Sequence, residues 1–138
     1  MKLYHFCAPQ FLEGIQQRGL TMGRTPFYEE GGKTAFLART QWMTVNPEFK
    51  QAWNGMVALR YDRTAFRLTF VIPKSAQKHI LTWPELKNRL IRNFGEGCIL
   101  RDFESGQDTE NWRIFVGRVK PGWLRRVVAK IDADAEAE

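Results

Sequence analysis

A chain of 138 residues with 43% hydrophobic residues and a formal net charge of +6 is long enough to bury a core of its own. It has no apolar run approaching the ~18 residues of a membrane span, and no basic-then-apolar signal in Met1-Lys2-Leu3-Tyr4-His5. With only two cysteines, Cys7 and Cys98, a disulfide framework is excluded, so the expectation is a cytoplasmic protein with two free thiols.

The N-terminal Leu3-Tyr4-His5-Phe6 alternates and reads as a short strand. A helix follows from Pro9, which suits a first helical turn, through Leu12 and Ile15 on one face to a stop at Gly19. Residues 21–33, with Gly23, Pro26, Gly31 and Gly32, read as a loop. Thr34 to Thr40 reads as a strand. Asn46-Pro47 marks a turn, and Glu48 to Trp53 a helical turn or loop. Phe66, Leu68, Phe70 and Ile72 alternate with Arg67, Thr69 and Val71, predicting a half-buried strand with Arg67 opposite the Phe side chains. Thr82-Trp83-Pro84-Glu85 has the form of a capping box, opening a helix striped by Leu86, Leu90, Ile91 and Phe94 and stopped by Gly95. The stretch 95–111 is polar and turn-like. Trp112 to Val119 reads as a strand and Lys120-Pro121-Gly122 as a turn. Trp123, Val127 and Ile131, at i, i+4 and i+8, lean helical. A domain over 1–131 and an acidic, frayed tail over 132–138, carrying Asp132, Asp134, Glu136 and Glu138, complete the chain. Strands separated by long excursions predict an α+β fold with a split, mostly antiparallel sheet and a few short helices.

Few motifs carry chemistry. Two His and two Cys at 5, 7, 79 and 98 have no metal-site spacing, so no metal is expected. Neither a phosphate-binding loop nor a dinucleotide fingerprint is present. His5 and Cys7 share a strand face and read either as a base–thiolate pair or as a neighbour of a small buried hydrophobe. Trp112, Arg113, Trp123, Arg125 and Arg126 interleave base-stacking and phosphate-binding side chains, as a single-strand groove would, or a solvated basic face over buried Trp.

Leu3-Tyr4-His5-Phe6-Cys7, a helix with Leu12 and Ile15, and then Gly19-Leu20 resemble the start of the ADP-ribosyltransferase-like domains. These include bacterial DNA ADP-ribosyltransferase toxins and NAD-dependent RNA 2′-phosphotransferases. The resemblance implies a split antiparallel sheet around an NAD cleft. His5 would hydrogen-bond the adenosine-side ribose, and the backbone after it, toward Cys7, would hold the nicotinamide amide. The strand ending in Arg39 and Thr40 would form a second wall. Arg24 to Glu30 would cover the donor, with Phe27 or Tyr28 stacking on nicotinamide. Glu110, before the last core strand, would be the catalytic acid, stabilising positive charge as the glycosidic bond breaks, while arginines hold the pyrophosphate. The chain departs from the pattern at Cys7, where the family usually has Thr or Ser, and at Glu110, which is followed by Asn111-Trp112 and not by the second half of an E-x-E or Q-x-E motif. Without that Glu, the resemblance to the RNA phosphotransferases implies a site built on Arg and His.

The expectation is therefore an NAD-dependent ADP-ribosyltransferase-like domain acting on a nucleic acid or protein, with His5 and Glu110 catalytic and Cys7, Arg24, Tyr28, Arg39 and Thr40 at the cofactor. The rival is a non-enzymatic basic module, of phage or toxin–antitoxin type, binding nucleic acid through Arg113, Arg125 and Arg126 or binding a partner protein.

Overall fold

The first strand of the chain, β1 (Lys2–Cys7), becomes a central strand of the fold. The computed structural model describes residues 1–49 and 62–137, with side chains as far as residue 133. A six-stranded sheet has the order β6-β7-β4-β1-β5-β8, where β4 is Thr40–Thr44, β5 Phe66–Val71, β6 Ile80–Thr82, β7 Trp112–Val116 and β8 Leu124–Ala129. Every pairing in it is antiparallel. A separate hairpin pairs β2 (Arg24–Tyr28) with β3 (Thr34–Ala38). With helices α1 (Pro9–Arg18), α2 (Trp83–Phe94) and α3 (Lys130–Ala137), the fold is α+β.

Strand alternation gives the sheet two cores. Leu3, Cys7, Met43, Leu68, Phe70 and Phe115 lie in one, with Leu12 and Ile15 of α1 and Trp123 packed against them. Trp112 and Ile114 point the other way, into a cluster with Phe27 of the hairpin and Trp83, Leu86 and Leu90 of α2. Burying both faces of the sheet explains the high aromatic content. Trp42, Trp83, Trp112 and Phe103 pack ring on ring in the second core.

The helices follow their caps. α2 starts with a capping box in which Thr82 Oγ1 accepts from Glu85 N–H and the Glu85 carboxylate accepts from Thr82 N–H. α1 begins at Pro9, with no side-chain cap.

Several expectations need correction. The loop read over 21–33 contains β2. Glu29 N–H donates to Lys33 C=O, so the odd residues of β2 bond to β3, and the position of Pro26 faces away, where its missing N–H removes no ladder bond. Its Pro and Gly disguised an edge strand. The strand read over 34–40 is divided at Arg39, whose φ of 59° turns the chain from the hairpin into β4. The helical leaning of 123–131 fails because positions i, i+4 and i+8 also share parity, which fits a strand equally well. Pairing with β5 decides for β8. The tail read as frayed is helical through Ala137, and α3 is tied at its start by Lys130 N–H to Ala65 C=O and by Lys130 Nζ to Asp62 at 2.6 Å. The turn or loop read over Glu48–Trp53 falls mostly on 50–61, outside the described residues.

Gly19 ends α1 with φ 77°, and a Cβ there would lie 1.9 Å from Val119 C=O. The close approach is needed because Leu20 and Val119 exchange two backbone hydrogen bonds, at 2.9 and 3.0 Å. Gly19→Ala is therefore expected to lose about 2–3 kcal/mol in urea unfolding. Gly122→Ala, where a Cβ meets nothing within 4 Å, should stay within about 0.5 kcal/mol of the parent. Equal effects at the two sites would contradict this account.

Candidate functional site

The sheet splits between β1 and β4. Their register contains one pair, Tyr4 with Thr44, whereas β1 and β5 pair along their whole length from Lys2–Val71 to Cys7–Phe66. Met1 and Ile72 exchange backbone bonds. By the alternation of an antiparallel ladder, Tyr4 and Phe6 then direct their N–H and C=O toward β4. On β4, Val45 N–H bonds to Asn111 C=O of the β7 side, so Trp42 directs its carbonyl toward β1. In a continued ladder Trp42 would meet Phe6. Instead its carbonyl accepts from the ring of His5, Nδ1 to O 2.8 Å. A side chain has taken the place of a backbone rung and holds the two strands apart.

That bond also sets the proton. A carbonyl only accepts, so Nδ1 carries the hydrogen. Burial lowers the His5 pKa below its ordinary 6.5, opposed by the bond to Trp42 and reinforced by the charge of Arg63. The ring is thus neutral near pH 7 and its Nε2 is an acceptor.

The split opens into a cleft of about 1300 Å³. His5, Phe6, Cys7 and Ala8 line it from β1 and its exit, and Gln41, Trp42, Met43 and Thr44 from β4. One flank is α1, through Phe11, Gly14 and Arg18, and the other is the hairpin, through Arg24, Pro26 and Phe36. Among the described residues three arginines line it, Arg18, Arg24 and Arg63, against one carboxylate, Glu13. A Cβ at Gly14 would come within 2.6 Å of the Arg18 guanidinium, which would have to shift to admit one.

The β4 wall is fixed by buried polar bonds. Gln41 is 2% exposed. Its Oε1 accepts from Gly23 N–H at 2.8 Å, and its Nε2 donates to Gly117 C=O at 2.9 Å. Thr25 and Thr40, both fully buried, bond hydroxyl to hydroxyl at 2.8 Å, and Trp42 Nε1 donates to Thr25 Oγ1 at 3.0 Å. These bonds join the hairpin to β4 and orient the Trp42 indole.

Of the residues expected at the cofactor, His5, Cys7 and Arg24 meet in the cleft. Cys7 is buried, and burial pushes its thiol up to about 11. It is a neutral wall of the cleft at pH 7, which disfavours the base–thiolate pairing. Thr40 is not part of the lining. Its hydroxyl is engaged by Thr25 and by Leu37 C=O. Arg39 is exposed at the turn between β3 and β4, where its carbonyl accepts from Gly117 N–H. Tyr28 lies at the far end of β2, beside a separate hollow with Glu29, Glu30 and Phe94. Glu110 is exposed in the helical turn Thr109–Asn111 and is not among the cleft residues. Arg113, on β7, donates to the carbonyls of Glu110 and Trp112. Arg125 and Arg126 are exposed on the edge strand β8, with β1 and β5 between them and the split. Trp112 is buried and Trp123 packs on Phe115, so the Trp side chains there serve the core. Among the described residues no group of three or more His, Cys, Asp or Glu is placed to hold a metal ion, and no helix is long and apolar enough to cross a membrane.

Sequence reasoning missed Arg18, Gln41, Trp42 and Arg63. Arg18 lies on the helix that flanks the cleft, and its spacing from other residues does not mark it. The others had no signal either, because their roles arise only when β4 lies beside β1. No family model, curated protein or solved structure matches the chain.

The His5 geometry has a pH signature. A lowered folded pKa means that the unfolded chain takes up the proton first, so the stabilisation is complete above about pH 6.5 and fades as pH falls below it. The groups held low, Asp62, Glu85 and Glu104, start from 3.8, 4.5 and 4.5 and act in a more acidic window. Burial alone would raise Asp62, but bonds from Lys130 and Thr64 hold it at about 2. Between about pH 7.5 and about pH 5 the melting temperature of the parent should fall relative to that of His5→Gln, whose amide does not titrate. Parallel curves would remove His5 from this role.

Separately, Thr40→Val should cost about 1–3 kcal/mol in urea unfolding by stranding buried partners. If Thr40→Val kept full stability, Thr40 would not be the structural tie described above.

Proposed function

We propose that the cleft binds NAD and that the chain is an ADP-ribosyltransferase-like domain of the cytoplasm, transferring ADP-ribose to a nucleic acid or protein acceptor. The observation that carries this reading is the neutral His5 ring seated in the split between β1 and β4, at the point where the resemblance of the N-terminal segment implies a ribose-binding His.

The residues present suit such a ligand. At about 1300 Å³ the cleft is above the usual range of small-molecule and cofactor sites and has room for a dinucleotide. Among the described residues of the lining, Arg18, Arg24 and Arg63 outnumber the carboxylate of Glu13 and supply the charge and forked donors that a pyrophosphate needs. The acceptor Nε2 of His5 suits a ribose hydroxyl. The backbone of Phe6 is directed toward the split and suits the nicotinamide amide. Tyr4 and Trp42 take the stacking role first given to Tyr28.

When bound, NAD supplies an electrophilic ribose carbon whose glycosidic bond to nicotinamide is broken. What the chain contributes is an oriented and positively charged cleft. With Glu110 outside the lining, the arrangement favours the Arg-and-His type of site, as in the RNA phosphotransferases, over one built on a catalytic Glu.

Thermal unfolding tests this reading. Saturating NAD, at about a hundred times its dissociation constant, should stabilise the protein by roughly 2.7 kcal/mol and raise the melting temperature by several degrees. The rise should vanish in His5→Ala and shrink in Arg24→Ala, and it should persist in Glu110→Ala and Tyr28→Ala. A parent protein indifferent to millimolar NAD would refute the proposal.

A further inference from the structure

The far end of the hairpin opens into a second hollow, of about 460 Å³, walled by Tyr28, Glu29, Glu30 and Phe94. That volume lies within the range of ligand sites. Two of the walls are aromatic. The Phe94 ring stacks on the buried Phe27, with centroids 4.3 Å apart and 28° between the planes. Its orientation is thereby set while 43% of the residue stays exposed. Tyr28, half-buried, closes β2 beside it. The two carboxylates stand on the turn into β3, where Glu29 N–H donates to Lys33 C=O and Gly32 N–H to Glu29 C=O. Both glutamates are exposed. Among the described residues neither carboxylate has a hydrogen bond or an ion pair, unlike those of Asp62, Glu85 and Glu104. The opposite side, with Gly97 and Cys98, is the C-terminal end of the 12-residue helix α2, where the helix dipole adds negative charge. Among the described residues the lining holds no Lys, Arg or His, although the chain has 21 Lys and Arg against 15 Asp and Glu. Lys33 and Arg92, the nearest basic residues along the chain, are exposed and outside it.

We infer that this hollow binds an organic cation, the guanidinium or ammonium group of a basic side chain on a partner peptide. Aromatic rings attract such a group through their negative faces, and carboxylates pair with it through charge-assisted hydrogen bonds. A guanidinium suits both walls at once, since it stacks flat on a ring while its forked donors reach a carboxylate at the edge. A metal ion fits less well, because among the described residues no three His, Cys, Asp or Glu come together to hold one. The open form of the hollow favours a side chain presented by a peptide over a free small cation. Glu29, Glu30, Phe94 and Gly97 are all exposed, so a free cation would stay largely in water, whereas a peptide adds contacts on either side and offers its next basic residue to the second carboxylate. A body with a net charge of +6 repels a basic peptide elsewhere on its surface, and the hollow supplies the opposite sign locally. The inference does not rest on the NAD reading, for Arg24 at one end of β2 lines the cleft and Tyr28 at the other end lines the hollow.

The test is an amide chemical-shift titration of the full chain with three probes: the blocked pentapeptide Gly-Arg-Gly-Arg-Gly, the same peptide with uncharged citrulline in place of both arginines, and N-acetylargininamide as the free cation. The arginine peptide should shift the amides of 28–32 and 94–98 together and saturate. The citrulline peptide should bind at least about fivefold more weakly, since it keeps the shape and loses the charge. Glu29→Gln/Glu30→Gln should weaken the arginine peptide at least about threefold, and Tyr28→Leu by a similar factor. Both glutamates are exposed, so the melting temperature of the double variant should hold, and its response to NAD should match that of the parent. Four outcomes would overturn the inference: no saturable shift, equal binding of the citrulline peptide, shifts confined to the acidic helix α3 that Glu29→Gln/Glu30→Gln leaves unchanged, or an affinity for N-acetylargininamide equal to that for the peptide, which would make the occupant a free cation. Peptide binding at these amides in a protein indifferent to NAD would keep the hollow and discard the cleft reading, and an NAD shift without peptide binding would do the reverse.

Discussion

One hydrogen bond organises the cleft, that from the His5 ring to the Trp42 carbonyl. A backbone ladder between β1 and β4 would have closed the sheet. The imidazole satisfies the same carbonyl at 2.8 Å, so the polar group is not abandoned in the interior, yet the backbone ladder between the strands is limited to the pair Tyr4–Thr44. The split is thus stabilised as an alternative pairing and needs no stored strain. Each wall of the cleft is also backed by a longer ladder, β1 by β5 and β4 by β7.

The hairpin of β2 and β3 depends on that arrangement. Its buried face carries Thr25 and Phe27, and the hydroxyl of Thr25 is shared by Thr40 and the Trp42 indole. The hairpin is therefore fastened to the strand that forms one wall of the split. Gln41 adds a second fastening through Gly23 and Gly117. Side chains that bond to backbone in this way fix orientation with little dependence on salt, unlike the surface ion pair of Lys87 and Glu104, whose net contribution is small.

What the sequence disclosed follows from the range of the forces involved. Local signals were readable: the alternation of Phe66 to Val71, the Thr82–Glu85 cap, Pro9 and Gly19 around α1. Edge strand β2 was hidden, since Pro26 is tolerated wherever the N–H side faces away from the partner strand, and that is a tertiary fact. Arg39 turns the chain with a positive φ that no glycine announced. For the site, His5 and Arg24 could be found because a short N-terminal pattern pointed to them. Trp42, Gln41 and Arg63 could not, since nothing in their neighbours says that two strands will stop short of pairing. Glu110 was chosen by proximity to a strand in the chain, and the turn that carries it faces solvent.

The position of β1 also governs how the molecule must assemble. The central strand β1 precedes its partners in the sequence, which follow only at Thr44 and Phe66–Val71. No neighbouring hairpin can nucleate it, so its pairing requires closing long loops before any contact compensates the lost chain entropy. β8 arrives last and covers β5 at the outer edge, with a bulge that places Arg125 out of register, a device that discourages further strands from adding there. A nascent chain lacking β8 would expose β5 as a bare edge. The cleft is therefore a late product of folding, formed only once segments far apart in the sequence have come together.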